Sequence, residues 1–382
     1  ATIEPSKTAT GNTYRTDTGK ITYTHTGTYT YTVSEAAEPK ISGVTNDPTV
    51  YTVVVKITAV GEALQRTVTV TPETAVKGTL DFTNTYVPEQ NEGVDWTSAQ
   101  LTKVFTGKNW DGEEFEFTIS AVTEGAPMPI SGNTVKVSGP DEEGGNTATF
   151  NFGDITFNEA GTYVYEVTET AGNLGGVTYS TNKATVTVTV TDKDASGAAT
   201  GKLVATATVE NGTFTNTYQS KLDYVDAGGL QLTKTLNGRD MADGQFEFTV
   251  KSTGDEDRLG IDGKTFESPA AKAGVESAPV KLISGETVEF ASDDAGKKFS
   301  YEITETKKGE AGYTNDEAAH KVDIEVTDNG DGTLKVTTTV DGTSYEYATD
   351  GTAAQVPTVK FVNSYDAGTA TLGGEGEVSI SA

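Results

Sequence analysis

Apolar and polar residues alternate with a period of two along much of the chain. Residues 162–169 (TYVYEVTE), 184–190 (ATVTVTV) and 334–340 (LKVTTTV) are rich in β-branched and aromatic side chains and are bounded by turn residues. Because side chains alternate between the two faces of a strand, this pattern predicts half-buried strands, and helical periodicity is absent. Short strands with frequent turn signals are typical of antiparallel β-sandwiches. We therefore predict an all-β chain of immunoglobulin-like architecture.

Four motifs occur in the same order in two long segments. In the first segment they are LTKVFTG (101–107), FEFT (115–118), TYVYEVTE (162–169) and FTNTY (214–218). In the second segment they are LTKTLNG (232–238), FEFT (246–249), FSYEITE (299–305) and FVNSY (361–365). Such self-similarity indicates a tandem array of structural units. The linkers between the units, about 87–96 (VPEQNEGVDW) and 219–228 (QSKLDYVDAG), are short and predict a semi-rigid, elongated rod.

An earlier segment contains only the later motifs. GKITYTHTGTYTYTVSE (19–35) aligns with residues 153–169, and FTNTY occurs at 82–86, but no LTK-like or FEFT strand precedes them. The predicted division has four parts: 1–88 is an N-terminally incomplete unit, 89–219 and 220–366 are complete units, and 367–382 is the start of a further repeat. The chain then corresponds to a window from a longer array.

Strand periodicity places three polar residues on the core face of each complete unit. These residues are Lys103, Glu169 and Asn216 in the second unit and Lys234, Glu305 and Asn363 in the third. Each lysine alternates with apolar residues, each glutamate follows an alternating tyrosine and aliphatic residue, and each asparagine lies between phenylalanine and tyrosine. The interior of each unit is thus predicted to hold a lysine, a glutamate and an asparagine.

Burial changes the chemistry of such a group. Ionised side chains are costly to bury, so the interior favours the neutral amine and the neutral acid. A neutral amine is a nucleophile, and a protonated acid can polarise a carboxamide and transfer protons. An asparagine held beside the amine would lose ammonia and leave a Lys–Asn amide, once per unit and without a cofactor.

Separate structural roles are the alternatives. An inward lysine can prevent edge-to-edge aggregation, a buried glutamate can pair with it in a salt bridge, and an asparagine can serve a turn or a cap. A lysine–glutamate pair alone leaves the repeated asparagine unexplained. The ordered recurrence of all three residues favours the covalent arrangement.

The motifs LTK, Y-x-[VI]-x-E and F-x-N-x-Y, in this order, resemble the pilin isopeptide-linkage domains of Gram-positive surface proteins, which belong to the CnaB-like group with an E-box. The resemblance covers nearly the whole chain and implies a cell-wall-attached pilus or adhesin stalk. By this resemblance Lys103 would be joined to Asn216 with Glu169 as catalyst, and Lys234 to Asn363 with Glu305 as catalyst.

The first unit departs from this pattern. Glu35 and Asn84 are in place, but Lys7 and Lys20 fall in the wrong part of the repeat. We therefore predict no bond within this unit. A second hypothesis is that it accepts a lysine-bearing strand from another chain.

Composition narrows the remaining functions. A formal net charge of −28 argues against nucleic acid and anionic membranes as partners, and the absence of cysteine excludes disulfides and thiolate metal sites. Residues 327–334 (TDNGDGTL) have the texture of a calcium loop, but Thr339 stands where an EF-hand needs its glutamate, so a hairpin turn is predicted. His25 and His320 have no evident nucleophile partner. No metal or cofactor is predicted.

Three functional classes follow from these features. A structural stalk or pilus shaft, whose partners are neighbouring repeats, is favoured. A ligand-binding adhesin module with a host partner is the alternative, because the insertion at 251–285 could form a binding surface. An enzyme acting on external substrates is not expected.

Overall fold

A computed structural model describes residues 8–10, 13–15, 20–36, 42–73, 79–194, 196–225, 228–254, 256–285, 287–347 and 355–368. This part of the chain is almost entirely β-structure, with a single 3-10 turn at Ser292–Asp294. Within it, no helix has the length and apolarity needed to cross a membrane. The predicted further repeat at 367–382 lies almost wholly outside the described residues.

The first unit has seven strands in the described part of the chain. They are β1 (Thr8–Thr10), β2 (Thr13–Arg15), β3 (Gly27–Val33), β4 (Val44–Thr45), β5 (Tyr51–Val60), β6 (Ala63–Thr71) and β7 (Thr85–Tyr86). Strands β3, β5 and β6 form an antiparallel sheet, and β4 pairs with β7 in a second sheet. The FTNTY segment ends in β7.

The second unit is a sandwich of a six-stranded and a four-stranded sheet. Its strands are β8 (Val94–Asp95), β9 (Leu101–Thr106), β10 (Glu114–Ala121), β11 (Thr134–Ser138), β12 (Thr147–Phe150), β13 (Gly161–Glu169), β14 (Val177–Thr178), β15 (Lys183–Lys193), β16 (Ala199–Glu210) and β17 (Thr213–Tyr218). The larger sheet has the order β11-β10-β13-β15-β16-β8, and the smaller one β12-β9-β17-β14.

The third unit repeats this architecture. Its strands are β18 (Lys221–Asp223), β19 (Gln231–Asn237), β20 (Glu247–Ser252), β21 (Thr265–Glu267), β22 (Val280–Lys281), β23 (Glu289–Ala291), β24 (Lys298–Lys307), β25 (Tyr313–Thr314), β26 (His320–Asp328), β27 (Leu334–Val340), β28 (Thr343–Tyr347) and β29 (Thr358–Tyr365). The sheets have the orders β21-β20-β24-β26-β27-β28 and β22-β19-β29-β25, and β18 pairs with β23.

Two apolar cores lie between these sheets. One draws its buried residues from 94–218 and the other from 222–361. The alternating segments that predicted half-buried strands lie in β13, β15 and β27, and the prediction of tandem all-β sandwiches is confirmed. The exact boundaries of the predicted units stay a prediction.

Segments interpreted as linkers or insertions also pack on the sandwiches. In the first linker, Trp96 is buried and β8 pairs in parallel with β16. In the second linker, Tyr224 is fully buried. The insertion at 251–285 contributes Leu259 and Ile261 to the third unit's core. Apolar residues at these positions explain the packing, because leaving them in water would forgo their burial energy.

Candidate functional site: a buried lysine, glutamate and asparagine

The first and last main strands of each complete unit are parallel neighbours. In the second unit β9 pairs with β17, so that Lys103 lies opposite Phe214 and Phe105 opposite Asn216. The lysine and the asparagine are therefore diagonal neighbours on one face. In the third unit β19 and β29 have the same register, with Leu236 opposite Asn363.

The glutamate reaches this pair from the facing sheet. Lys103 Nζ donates to Glu169 Oε1 at 3.0 Å and to Oε2 at 2.9 Å, and Asn216 Nδ2 donates to Oε1 at 2.5 Å. The side chains of Lys103 and Glu169 are fully shielded from solvent, as is Asn216. One carboxylate oxygen thus contacts both nitrogen atoms, which suits it to pass a proton from one to the other.

The third unit has the same arrangement with a different division of oxygens. Lys234 Nζ donates to Glu305 Oε2, and Asn363 Nδ2 donates to Oε1 at 2.8 Å. Asn363 Nδ2 also donates to Asn315 Oδ1 at 3.1 Å. The two nitrogens here contact different oxygens of one carboxylate, so a transfer between them would use both.

A backbone N–H points at the carbonyl oxygen of each asparagine. Ser180 N donates to Asn216 Oδ1 at 2.7 Å, and Asp316 N donates to Asn363 Oδ1 at 2.7 Å. Such a donor fixes the carboxamide orientation and would stabilise negative charge developing on that oxygen. Sequence reasoning missed this contact, because any residue except proline supplies a backbone N–H.

Both lysines are buried beside aromatic rings, and this burial lowers their pKa. Lys103 Nζ lies 4.3 Å from the centroid of the Phe115 ring, and Lys234 Nζ lies 4.7 Å from that of Phe246. Desolvation lowers the pKa of Lys103 from 10.5 to about 8, although Glu169 acts in the opposite direction. Desolvation likewise lowers the pKa of Lys234, opposed by Glu305. The FEFT motif supplies these rings, and burial raises the share of neutral amine.

The first unit assembles two of the three groups. Asn84 Nδ2 donates to Glu35 Oε1 at 3.0 Å, and Asp47 N donates to Asn84 Oδ1 at 2.8 Å. Asn84 is exposed, in contrast to its buried counterparts. Among the described residues no lysine makes an ion pair with Glu35; Lys20 is exposed, and Lys7 lies outside them. The structure therefore brings the glutamate and the asparagine together without a lysine.

The calcium-like segment and the two histidines lie in ordinary structural contacts. The segment at 327–334 forms the turn of the hairpin between β26 and β27, as predicted. His320 contacts Asp316 and Asp341, and His25 contacts Thr24. Within the described ranges, no cluster of three or more His, Asp or Glu residues is arranged to hold a metal ion. The roles assigned to the six buried triad residues stay predictions.

Comparison with known proteins gives a family. Residues 1–87, 99–219 and 230–366 match the family described as FctA, Spy0128-like isopeptide containing domain. No curated protein matches the chain.

Among solved structures, the chain is similar to the major pilin from Streptococcus pyogenes, with 21% identity, a TM-score of 0.28 and coverage of 70% of this chain and 98% of the pilin. Major pilins of two further S. pyogenes serotypes have 20% and 17% identity, both with a TM-score of 0.25. Those matches cover 70% and 72% of this chain and 97% and 99% of theirs. Because the three family matches together span most of the sequence, the chain belongs to the family of Spy0128-like isopeptide-containing domains.

Proposed function

We propose that the chain is a structural segment of a Gram-positive pilus shaft, and that amide bonds join Lys103 to Asn216 and Lys234 to Asn363. The observation that supports this best is the buried contact of one glutamate with both nitrogens in two successive units. A salt bridge alone would not need an asparagine donating to the same carboxylate. Family membership supports the same conclusion.

The reaction balances without a cofactor. The neutral Nζ of Lys103 attacks Cγ of Asn216, and negative charge develops on Oδ1, which accepts the N–H of Ser180. Glu169 takes a proton from the lysine nitrogen and delivers one to Nδ2, which departs as ammonia. One carbon–nitrogen bond forms and one breaks. The reaction occurs once per unit, so the chain is not an enzyme towards external substrates.

The position of the bond suits a protein under tension. Each bond would join the first main strand of a unit to its last, between parallel neighbours. A pull along the array enters and leaves a unit through its ends, so the amide would bear force before the strands separate. Amides resist reduction, which fits a chain without cysteine at an extracellular, cell-wall-anchored location.

Intact mass tests the bonds directly. The full chain should be lighter than its sequence by two ammonia molecules, and proteolysis should give branched peptides containing Lys103 with Asn216 and Lys234 with Asn363. Glu169→Ala should restore one ammonia and Glu305→Ala the other. Glu166→Ala and Glu302→Ala are matched controls on the same strands and should leave both bonds intact. A wild-type mass equal to that of the sequence would refute the bonds.

Polymer formation tests the shaft. Cells that express the full protein should carry surface polymers of the chain that resist boiling in detergent, with neighbouring units of the same protein as partners. Surface protein found only as a monomer would exclude the shaft and leave the alternative of a ligand-binding stalk. The insertion at 251–285 would then be the first candidate binding surface, although it buries Leu259 and Ile261 in the core of the third unit, which favours a structural role for it.

A further inference from the structure

The second and third units meet through a tyrosine and a hairpin. Tyr218, the last residue of FTNTY, donates its hydroxyl to Asp328 Oδ1 at 2.6 Å, and Ser220 Oγ donates to Asp328 Oδ2 at 3.0 Å. The turn between β26 and β27 returns a hydrogen bond from Gly332 N to the Tyr218 hydroxyl at 3.1 Å. Lys108 Nζ donates to Gly330 O in the same turn at 2.8 Å.

Glycines allow this close approach. A Cβ placed on Gly176 would lie 2.6 Å from Gly332 Cα and 2.8 Å from Cε2 of the Tyr218 ring. Both glycines have positive φ, of 74° and 88°. A side chain at Gly176 is therefore excluded by contact with the next unit as well as by its backbone conformation.

The first and second units meet in the same way. Tyr86, the last residue of the first FTNTY, donates to Asp192 Oδ2 at 2.8 Å, and this bond raises the pKa of the phenol. Asp192, like Asp328, follows Val-Thr in the strand before the hairpin. A Cβ on Gly43 would lie 3.2 Å from Gly201 Cα in that hairpin. Each of the two junctions thus contains one tyrosine, one aspartate and two glycines that face each other.

The third unit carries the same surface at its far end. Gly312 has φ of 86°, and a Cβ there would lie 2.9 Å from Cε2 of Tyr365, as at the two junctions. The Arg239 guanidinium lies 4.7 Å from the Tyr365 ring centroid, where Lys108 lies 4.8 Å from that of Tyr218. In the part of the chain that the structure describes, the Tyr365 hydroxyl makes no hydrogen bond.

We propose that Gly312, Tyr365 and Arg239 form a docking surface for an aspartate-bearing β-hairpin of another unit of this same repeat, joined after Asp366 by a short linker. Both occupied junctions supply an aspartate that accepts the tyrosine hydroxyl and a glycine that faces the glycine beside the tyrosine. The junction of the second and third units adds a turn carbonyl that accepts from the cation, the role expected opposite Arg239. The first unit of a second copy fits poorly, because its turn between β5 and β6 is Gly61-Glu62 and has no aspartate.

A duplication tests this surface while retaining every residue of the chain. A second copy of residues 220–366 is inserted after Asp366, so that Asp366 takes the place of Gln219; both donate a backbone N–H at 2.9 Å, to Gly312 O and Gly176 O respectively. The chain has no cysteine, so spin labels can be placed at will. Thr162→Cys and Lys298→Cys, at equivalent exposed positions, report the natural junction, and Lys298→Cys in both copies reports the new one.

The expected result is a label-to-label distance distribution at the new junction as narrow as at the natural one. Tyr365→Phe should broaden the new distribution alone, and Tyr218→Phe the natural one alone. Tyr345→Phe, on a strand away from either junction, should change neither. A broad distance distribution at the new junction would overturn the proposal. So would a distribution at the new junction that Tyr365→Phe leaves unchanged, if Tyr218→Phe broadens the distribution at the natural junction.

Discussion

Replacing Asn216 by alanine would separate the contribution of the proposed Lys103–Asn216 bond to stability from that of the local contacts. The variant removes the electrophile, so the second unit cannot be cross-linked, while Lys103 and Glu169 keep their ion pair. The third unit retains its own triad and serves as an internal reference. Intact mass should show the return of one ammonia.

The magnitude follows from the length of the closed loop. Lys103 and Asn216 are 113 positions apart in the sequence. If the amide is treated like a disulfide, closing a loop of that length raises the free energy of the unfolded state by about 5 kcal/mol, because it reduces the conformational entropy of that state. In the cross-linked unit Nδ2 has left as ammonia, but Oδ1 still accepts the N–H of Ser180, a hydrogen bond with a net contribution of about 1 kcal/mol. The free energy of unfolding of this unit should therefore fall by roughly 6 kcal/mol.

Tryptophan fluorescence can follow this unit alone. The chain has two tryptophans, Trp96 and Trp110, and both are buried in the second unit. Denaturant titrations would compare wild type, Asn216→Ala, Glu169→Gln and the double variant. Because Glu169→Gln already prevents the bond, adding Asn216→Ala to it should cost only the local contacts, about 2 kcal/mol.

The control is Thr215→Ala, at an exposed position on the same strand, which should change the unfolding free energy by less than about 0.5 kcal/mol. Additivity of Asn216→Ala and Glu169→Gln within about 0.5 kcal/mol would refute the reasoning, because the two changes would then not remove a shared bond.

Three further predictions address the chemistry and the junctions. In freshly translated chain, the rate of bond formation in the second unit should rise about tenfold per pH unit and level off above about pH 8. The reason is that the lowered pKa of Lys103 makes its amine neutral above that value. A rate that does not depend on pH between about 5 and 8 would contradict this prediction. Ser180→Pro removes the N–H that Asn216 Oδ1 accepts and should slow bond formation roughly 100-fold, as followed by mass, whereas Ser180→Ala keeps the donor and the rate. Gly176→Val should broaden the label distances between the second and third units while intact mass still shows both bonds, and Gly197→Val, in open space, should change neither.

The sequence was sufficient for the strands and for the core-facing polar residues. Period-two alternation places Lys103 between Leu101 and Phe105, and all three are fully buried in β9. Alternation assigns a face within one strand but does not name the neighbouring strand. The resemblance to isopeptide-linkage domains implies that Lys103 and Asn216 meet, and the parallel pairing of β9 with β17 supplies the register.

The backbone contacts could not be predicted in this way. The N–H groups of Ser180 and Asp316 perform the same task although their side chains differ, so no residue pattern marks them. The junction glycines are visible in the sequence, but a positive φ is equally common in ordinary turns. Their role depends on the turn of the next unit, which brings Gly332 to Gly176.

The spacing between successive triads also determines how far the array can stretch. With both amides formed, the segment from Asn216 to Lys234 is the only backbone between the two closed loops, and it spans 18 positions. Fully drawn out, it would reach roughly 60 Å, whereas opening the 113-position loop of the second unit would release about 400 Å. Tyr218 belongs to this segment, so its hydrogen bond to Asp328 would have to break before the segment could extend. Such an array would be nearly inextensible, with a small, reversible extension at each junction between units.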